Sequence, residues 1–192
     1  TFDIETTSYL ILNGKVISAR DYQQLTSDEQ EACEKQACMY VWQFSINQDV
    51  YYGRTWEEFK LFLDRLDAND NTKKIVFVHN LGFEFQAIWS VLRIKSVMSR
   101  KQRKLITCEL EDYNIQFRCT MMLSNLKLEY LPDVYNLPVR KKVGDLDYSK
   151  LRTPITPLTD KELGYCEFDC LVTYWYVKAE LETYKRVDKL PI

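Results

Sequence analysis

One short segment, Lys74 to Val78 (KIVFV), constrains the fold of this chain more than any other. It is almost continuously apolar, as strands are when both faces of their sheet are covered, and such strands belong mainly to α/β proteins. Gly82 and a helical pattern over about 83–92 follow it directly. The segment therefore predicts a strand and helix in the interior of an α/β domain.

Strand and helix patterns alternate along the rest of the chain. Apolar–polar alternation and β-branched or aromatic runs predict strands, and apolar spacing near 3.6 residues predicts helices. The predicted strands are 2–6, 39–46, 50–53 and several within 93–119, and the predicted helices are about 56–66, 123–135 and 159–186. This order predicts one α/β domain over residues 1–192, with a mixed β-sheet.

Composition excludes several classes of protein. A net charge of −2, from 26 basic and 28 acidic residues, argues against binding of duplex DNA by bulk charge but leaves local patches open. The single histidine, His79, excludes a three-histidine zinc enzyme. The six cysteines are too sparse for a disulfide scaffold, and no signal peptide or membrane span is visible. We expect a cytoplasmic protein with no membrane partner, and the absence of an initiator Met predicts a fragment of a longer chain.

Three short motifs combine acidic side chains with other polar or aromatic groups. Asp3 and Glu5 are two residues apart on a predicted strand, so both carboxylates share one face and would repel each other without a cation. His79-Asn80-Leu81-Gly82-Phe83-Glu84 follows a buried strand, where α/β sheets place their sites. Tyr165 and Asp169 are four residues apart on one face of the last predicted helix. Taken singly, the three motifs are more typical of a solvated strand edge, a turn and a helix surface, respectively, than of a functional site.

Together, and in this order, the motifs resemble the three exonuclease motifs of the DnaQ-like 3′–5′ exonucleases. More narrowly, the chain resembles the exonuclease domain of protein-primed family B DNA polymerases from phages and linear plasmids. The resemblance covers nearly the whole chain except roughly 8–37 and implies a ribonuclease-H-like fold, a mixed β-sheet flanked by α-helices. Further matching runs are Phe2-Asp3-Ile4-Glu5-Thr6-Thr7, Tyr51-Tyr52-Gly53-Arg54-Thr55-Trp56, Gly144-Asp145-Leu146-Asp147-Tyr148 and Asp188-Lys189-Leu190-Pro191-Ile192.

The resemblance also implies an active site. Asp3, Glu5, Glu84 and Asp169 would hold two divalent metal ions, Mg²⁺ or Mn²⁺, although the family usually has Asp where this chain has Glu84. Tyr165 would orient the attacking water. The implied reaction is hydrolysis of the last phosphodiester bond at a single-stranded DNA 3′ end, which releases a 5′-nucleoside monophosphate. The implied partners are the polymerase domain of the same parent chain and a terminal (priming) protein.

Other positions match family contacts to the DNA strand. The family has a Lys two residues before the first Asp of the Gly-Asp-x-Asp-Tyr run; here Val143 stands there, and Lys142, one residue earlier, is the candidate to replace it. His79 is as compatible with a structural role as with a DNA contact. The strand contacts that the resemblance implies are Thr6, His79, Asn80, Phe83, Thr120, Met121 and Lys142.

A basic run over 93–104 (RIKSVMSRKQRK) contains six Lys or Arg and no acidic residue. Such residues bind phosphates by releasing counterions, and a solvated hairpin or a docking face for a polymerase domain are equally compatible. The DNA-binding candidates in this run are Arg100, Lys101, Arg103 and Lys104.

Two other functions stay open at this point. One is a free-standing DnaQ-like exonuclease that acts on RNA or DNA. The other is a catalytically silent module that binds single-stranded DNA or docks to a polymerase, with Glu84 as the sign of lost activity.

Overall fold

A computed structural model of the 192-residue chain describes residues 1–17, 19–68, 71–140, 146–148 and 150–192. Within these residues the strands are β1 (Phe2–Leu12), β2 (Lys15–Ile17), β3 (Glu34–Ile46), β4 (Asp49–Gly53), β5 (Lys74–Val78), β6 (Ile94–Lys101), β7 (Lys104–Leu110) and β8 (Ile115–Cys119). The helices are α1 (Ala19–Tyr22), α2 (Ser27–Glu31), α3 (Trp56–Ala68), α4 (Leu81–Ile88), α5 (Thr120–Ser124), α6 (Leu131–Val134) and α7 (Asp160–Tyr184), with 3₁₀ turns at Leu128–Tyr130 and Val187–Lys189.

The first sheet is antiparallel and has the order β2-β1-β3-β4. The β3–β4 hairpin has the position that the sequence predicts. A tight turn joins β1 to β2 at Asn13 and Gly14, whose φ angles of 51° and 76° suit Asn and Gly. The sequence did not predict how far the two central strands continue: β1 runs to Leu12 and β3 begins at Glu34, so their pairing extends the sheet as a ribbon.

The second sheet has the order β5-β8-β7-β6 and is mixed, because β5 and β8 are parallel while β8, β7 and β6 are antiparallel. Val76, Phe77 and Val78 of β5 are buried, as the apolar run predicts. β1 contacts β5, so the two sheets meet along these strands. The predicted α/β class with a mixed sheet is therefore confirmed, with the strands divided between two sheets.

Helices cover the sheets and close the core. α3 and α4 contribute Phe59, Leu63 and Ile88 to the main apolar cluster, which also contains Phe2 and Ile4 of β1. α7 packs against β1, β3 and β5. Because Phe2 and Ile4 point into the core, the intervening side chains of β1 point to the opposite face, towards α7.

The start of α7 is fixed by a capping box. The Glu162 amide donates a hydrogen bond to the Thr159 hydroxyl at 3.3 Å, and the Thr159 amide donates to Glu162 Oε2 at 2.8 Å. The predicted long C-terminal helix is confirmed. The helix predicted over 123–135 is wrong as a single element: α5 ends at Ser124, Asn125 caps it with a φ of 55°, and the chain then forms a 3₁₀ turn and α6.

Across the ranges that the structure describes, no helix combines the length and apolar character that crossing a membrane requires.

Candidate active site

Three acidic side chains from the first strand and the last long helix converge. Asp3 and Glu5 share one face of β1, and α7 brings Asp169 to that face. One carboxylate oxygen from each of the three lies within 4.8 Å of those of the other two. Glu5 and Asp169 are buried and Asp3 is partly buried. The chain therefore holds three carboxylates close together with little access to water.

A β-bulge lies beside this cluster. Glu5 pairs with Val41 and Thr6 with Met39, so Tyr40 is an extra residue on β3 at this point. Bulges increase local twist and often re-aim side chains next to functional sites. Here the bulge separates the core part of the first sheet from the ribbon that the ends of β1 and β3 form beyond Thr6 and Met39.

Glu84 comes from the first turn of α4 and is 2% exposed. Its Oε2 atom is buried and has no hydrogen-bond partner among the described residues. Burial, and after it the nearby Asp3 carboxylate, raise the pKa of Glu84 well above its usual range. The fourth predicted acid therefore lies next to Asp3, at the margin of the three-carboxylate cluster. We call Asp3, Glu5, Glu84 and Asp169 the carboxylate site.

The carboxylate site fits divalent metal ions. Its donors are hard carboxylate oxygens, which suit Mg²⁺ and Mn²⁺. Buried acids of like charge repel one another unless a proton or a cation intervenes. The unpartnered Oε2 of Glu84 is a ligand atom that protein groups leave unused. The site could therefore hold metal through the acids that the sequence predicts.

Two tyrosines meet beside the carboxylates. Tyr165 of α7 is 6% exposed, and its hydroxyl lies 3.3 Å from the hydroxyl of Tyr148. Tyr148 is 63% exposed as a whole residue, but partial desolvation of its phenol raises its pKa most strongly, and Glu5, Tyr165 and Asp169 raise it further, so the phenol stays protonated. Sequence reasoning did not predict a site role for Tyr148, although the Gly-Asp-Leu-Asp-Tyr run that contains it was noticed.

Arg152 ties the segment that carries Tyr148 to the body of the protein. Its guanidinium is 3% exposed and donates hydrogen bonds to the Asp147 carbonyl at 2.6 Å and to Glu162 Oε1 at 2.5 Å. Its backbone amide donates to the Thr7 hydroxyl at 3.2 Å. These contacts link β1, the Tyr148 segment and the start of α7, and no sequence pattern pointed to them.

Several predicted strand contacts surround this site. Asn80 is exposed, has a φ of 73° and does not use its side chain to cap α4, so its amide faces solvent. Phe83 is 45% exposed. Thr6 and Phe83 line the same groove of about 290 Å³, together with Trp56 and Gln86. The hydroxyl of Thr6 therefore follows Glu5 along β1, and the Asn80 amide and the Phe83 ring belong to the turn and helix start that carry Glu84.

His79 and Thr120 follow the carboxyl ends of the parallel strands β5 and β8, whose last residues, Val78 and Cys119, are paired. The His79 Nδ1 atom lies 3.0 Å from the Thr120 hydroxyl, which also donates to the Val78 carbonyl at 3.4 Å. Thr120 is fully buried, so its hydroxyl orients His79. Met121, the next residue, is partly exposed.

The predicted basic residues lie at the end of the β6–β7 hairpin. Arg100, Lys101, Arg103 and Lys104 are all exposed, and we call them the hairpin tip. Lys142, the other predicted basic contact, lies outside the described residues.

The chain was compared with known families, sequences and structures, and only the structures match it. No protein-family model matches the chain, and no curated protein matches it by sequence. Its fold matches part of a DNA polymerase. Matching structures include several of phi29 DNA polymerase, and the one complexed with single-stranded DNA has a TM-score of 0.63 and 14% identity. The match covers 95% of this chain and 31% of that chain.

A second structure of phi29 DNA polymerase, complexed with primer-template DNA and incoming nucleotides, has a TM-score of 0.65 and 14% identity, over 96% of this chain and 31% of that one. This chain therefore spans about a third of the polymerase. At such low identity the likeness establishes the fold, which agrees with the ribonuclease-H-like class that the sequence predicts.

Proposed function

We propose that this chain is a divalent-metal-dependent 3′–5′ exonuclease domain that removes nucleotides from single-stranded DNA 3′ ends. The observation that carries the proposal is the meeting of Asp3, Glu5 and Asp169, with ligand oxygens within 4.8 Å of one another. Buried Glu84 beside them and Tyr165 at the same site support it.

The carboxylate site would hold two divalent ions through its four acids. When bound, such ions supply charge neutralisation at the phosphate and a lowered pKa for water. Tyr165 holds the attacking water in line through its phenol oxygen, and the Tyr148 hydroxyl, 3.3 Å away, fixes the position of that oxygen. Arg152 holds the Tyr148 segment in place through Asp147 and Glu162.

The strand would be held by groups around the site. The Asn80 amide and the Thr6 hydroxyl offer hydrogen bonds to sugar and base, and the exposed Phe83 ring offers a stacking surface. His79, oriented by Thr120, stands next to Asn80. Met121 offers an apolar contact on the α5 side. Lys142 keeps its proposed role as a phosphate contact.

We further propose that residues 1–192 are one domain of a protein-primed family B DNA polymerase, in which the exonuclease proofreads. The match to about a third of phi29 DNA polymerase supports this assignment. The polymerase domain of the parent chain would be its constant partner, and a terminal protein remains a predicted partner.

The test is a shortening assay. The protein is incubated with a 5′-labelled single-stranded oligonucleotide and Mg²⁺ or Mn²⁺, and the products are resolved at single-nucleotide length. We expect stepwise loss from the 3′ end and release of 5′-monophosphates. An oligonucleotide with phosphorothioate linkages at its 3′ end, which resist hydrolysis, is the matched control substrate.

Two outcomes would contradict the proposal. If a folded sample fails to shorten DNA in the presence of either Mg²⁺ or Mn²⁺, the chain is not an exonuclease. If that sample still binds DNA, the result would favour the silent binding module. A sample that shortens RNA but not DNA would favour a free-standing RNA exonuclease.

A further inference from the structure

The cations of the β6–β7 hairpin differ in their partners along its length. Near its base, Arg93 pairs with Glu111 at 2.9 Å and with Asp112 at 3.1 Å, and Lys95 lies 3.7 Å from Glu109. At the hairpin tip none of the four cations has an acidic partner within 4 Å among the described residues.

Two tip cations also face each other. Lys101 and Lys104 are directly paired across β6 and β7. Like charges in such a pair destabilise a hairpin, and a nearby acid would normally offset the cost. Among the residues described here none does so, which leaves the pair available for an external anion.

The hairpin tip borders a cleft. A cavity of about 400 Å³ is lined by Arg100, Lys101, Lys104, Met122 and Asn125. Three cations, an amide and a thioether face it. This is the lining that a sugar–phosphate backbone requires, because the cations meet phosphates and the amide and thioether contact sugar or base.

The cleft lies beside the predicted strand contacts. Met122 directly follows Met121 in α5, and Arg103 packs against the start of α4. A side chain in place of Gly82 would put its Cβ 2.5 Å from the Arg103 carbonyl oxygen, so the tip touches the turn between Asn80 and Glu84. The absence of a Cβ at Gly82 is what permits this approach.

We propose that the cleft between the hairpin tip and α5 is a second DNA subsite, which binds backbone phosphates of the same strand several nucleotides from its 3′ end. This inference rests on the proposed function, because the strand is the one whose end reaches the carboxylate site. The inference adds to the proposed function that Lys101 and Lys104, together with Arg100, supply a part of the affinity for single-stranded DNA that depends on the length of the strand.

The test measures binding without hydrolysis. Fluorescence anisotropy gives the Kd of the protein, in EDTA, for 5′-labelled dT4 and dT12 with hydrolysis-resistant 3′ linkages. The variant is Lys101→Gln/Lys104→Gln. The matched control, Lys15→Gln/Lys35→Gln, removes the same charge from the ribbon, which extends roughly 20 Å from Glu5 at about 3.3 Å per residue.

At about 0.1 M salt we expect the cleft variant to weaken dT12 binding by roughly 10- to 30-fold, since each lost phosphate contact removes ~0.7 from the salt slope. The salt slope itself should fall by about 1.4. The Kd for dT4 should change less than about twofold. The control variant should bind both oligonucleotides as the wild type does.

Unchanged dT12 binding in the cleft variant would overturn the proposal and point to a protein or polymerase surface as the partner of the tip. An equal loss on dT4 and dT12 would also overturn it, because the cations would then belong to the 3′-end site. Failure of the proposed exonuclease activity is seen separately, in the shortening assay, and leaves the length dependence of binding measurable.

Discussion

The carboxylate site and the hairpin tip each gather charges of one sign, but they hold them in different surroundings. Glu5, Glu84 and Asp169 are 7%, 2% and 5% exposed, whereas the cations of the tip are in water. Repulsion among buried charges acts through a low effective dielectric, and repulsion among exposed charges is screened by salt within ~10 Å. The first cluster therefore suits a compact cation at fixed positions. The second can exchange loosely held counterions for a flexible polyanion.

The largest expected effect comes from removing two members of the buried cluster. Asp3→Ala/Glu5→Ala should lower kcat for 3′-end hydrolysis by about 10³-fold or more, because several kcal/mol of metal-dependent stabilisation are lost. Rates are measured on 5′-labelled single-stranded DNA, with circular dichroism as the check on folding. Activity that survives in this variant would belong to another site.

A substitution at Tyr165 distinguishes two roles of its phenol, orientation of the attacking water and transfer of the proton of that water. Tyr165→Phe should lower kcat by about fivefold, the effect of one lost hydrogen bond of ~1 kcal/mol, and leave the apparent metal affinity unchanged. A loss of about 10²–10⁴-fold would instead mean that the phenol takes part in proton transfer. Tyr148→Phe, which changes the neighbouring phenol 3.3 Å away, should lower kcat less and is the matched comparison.

A substitution at Glu84 measures the electrostatic repulsion among the buried acids of the carboxylate site. Glu84→Gln should raise the free energy of unfolding of the metal-free protein by roughly 1–3 kcal/mol, because an ionisable group that is buried beside the Asp3 carboxylate is replaced by a neutral one. Thermal unfolding in EDTA measures this gain. The same variant should show a smaller rise in Tm on addition of Mn²⁺ than the wild type, since one ligand is lost.

The gain from Glu84→Gln should also depend on pH. Burial and Asp3 raise the pKa of Glu84 above its usual value of 4.5, so the native state binds this proton more tightly than the unfolded state does. Wild-type stability from this group is complete below about pH 4.5 and is lost as the pH rises through the native pKa. The variant should therefore gain little near pH 4 and progressively more as the pH rises through the native pKa of Glu84. A gain independent of pH would assign the effect to packing.

The smallest effect is expected at the hairpin tip. Lys101→Gln/Lys104→Gln should raise the free energy of unfolding by about 0.2–1 kcal/mol at low salt, because two facing like charges are removed. The gain should disappear at about 0.5 M salt, where exposed charges are screened within a few ångströms. Chemical unfolding at two salt concentrations measures it. If the gain in unfolding free energy persists in high salt, it does not come from repulsion between Lys101 and Lys104.

Much of the carboxylate site could be predicted because local spacing determines which side chains share a face. Asp3 and Glu5 are two residues apart on a strand, and Tyr165 and Asp169 are four apart on a helix. Glu84 follows a buried strand at the point where helices begin. Their convergence, however, depends on contacts between distant segments, and it was the resemblance of the motifs to a family that brought them together.

The features that escaped prediction are set by tertiary contacts. Tyr148 reaches the site because buried Arg152 holds its segment to Thr7 and Glu162, and an isolated arginine in a loop gives no sign of this. The part of β1 that extends to Leu12 has little apolar–polar alternation, so the sequence pattern there did not predict a strand. The break at Asn125 was missed because apolar residues continue on either side of it.

Three of the four acids of the carboxylate site come from β1 and α7, which lie far apart along the described chain. Closing a loop between such distant segments costs more entropy than forming local contacts, so we expect this contact to form after the local ones. Until it has formed, Asp3 and Asp169 are not held together, and a divalent ion has no site to favour. We therefore expect bound metal to prolong the lifetime of the native state by slowing unfolding, with little effect on the rate at which the chain folds.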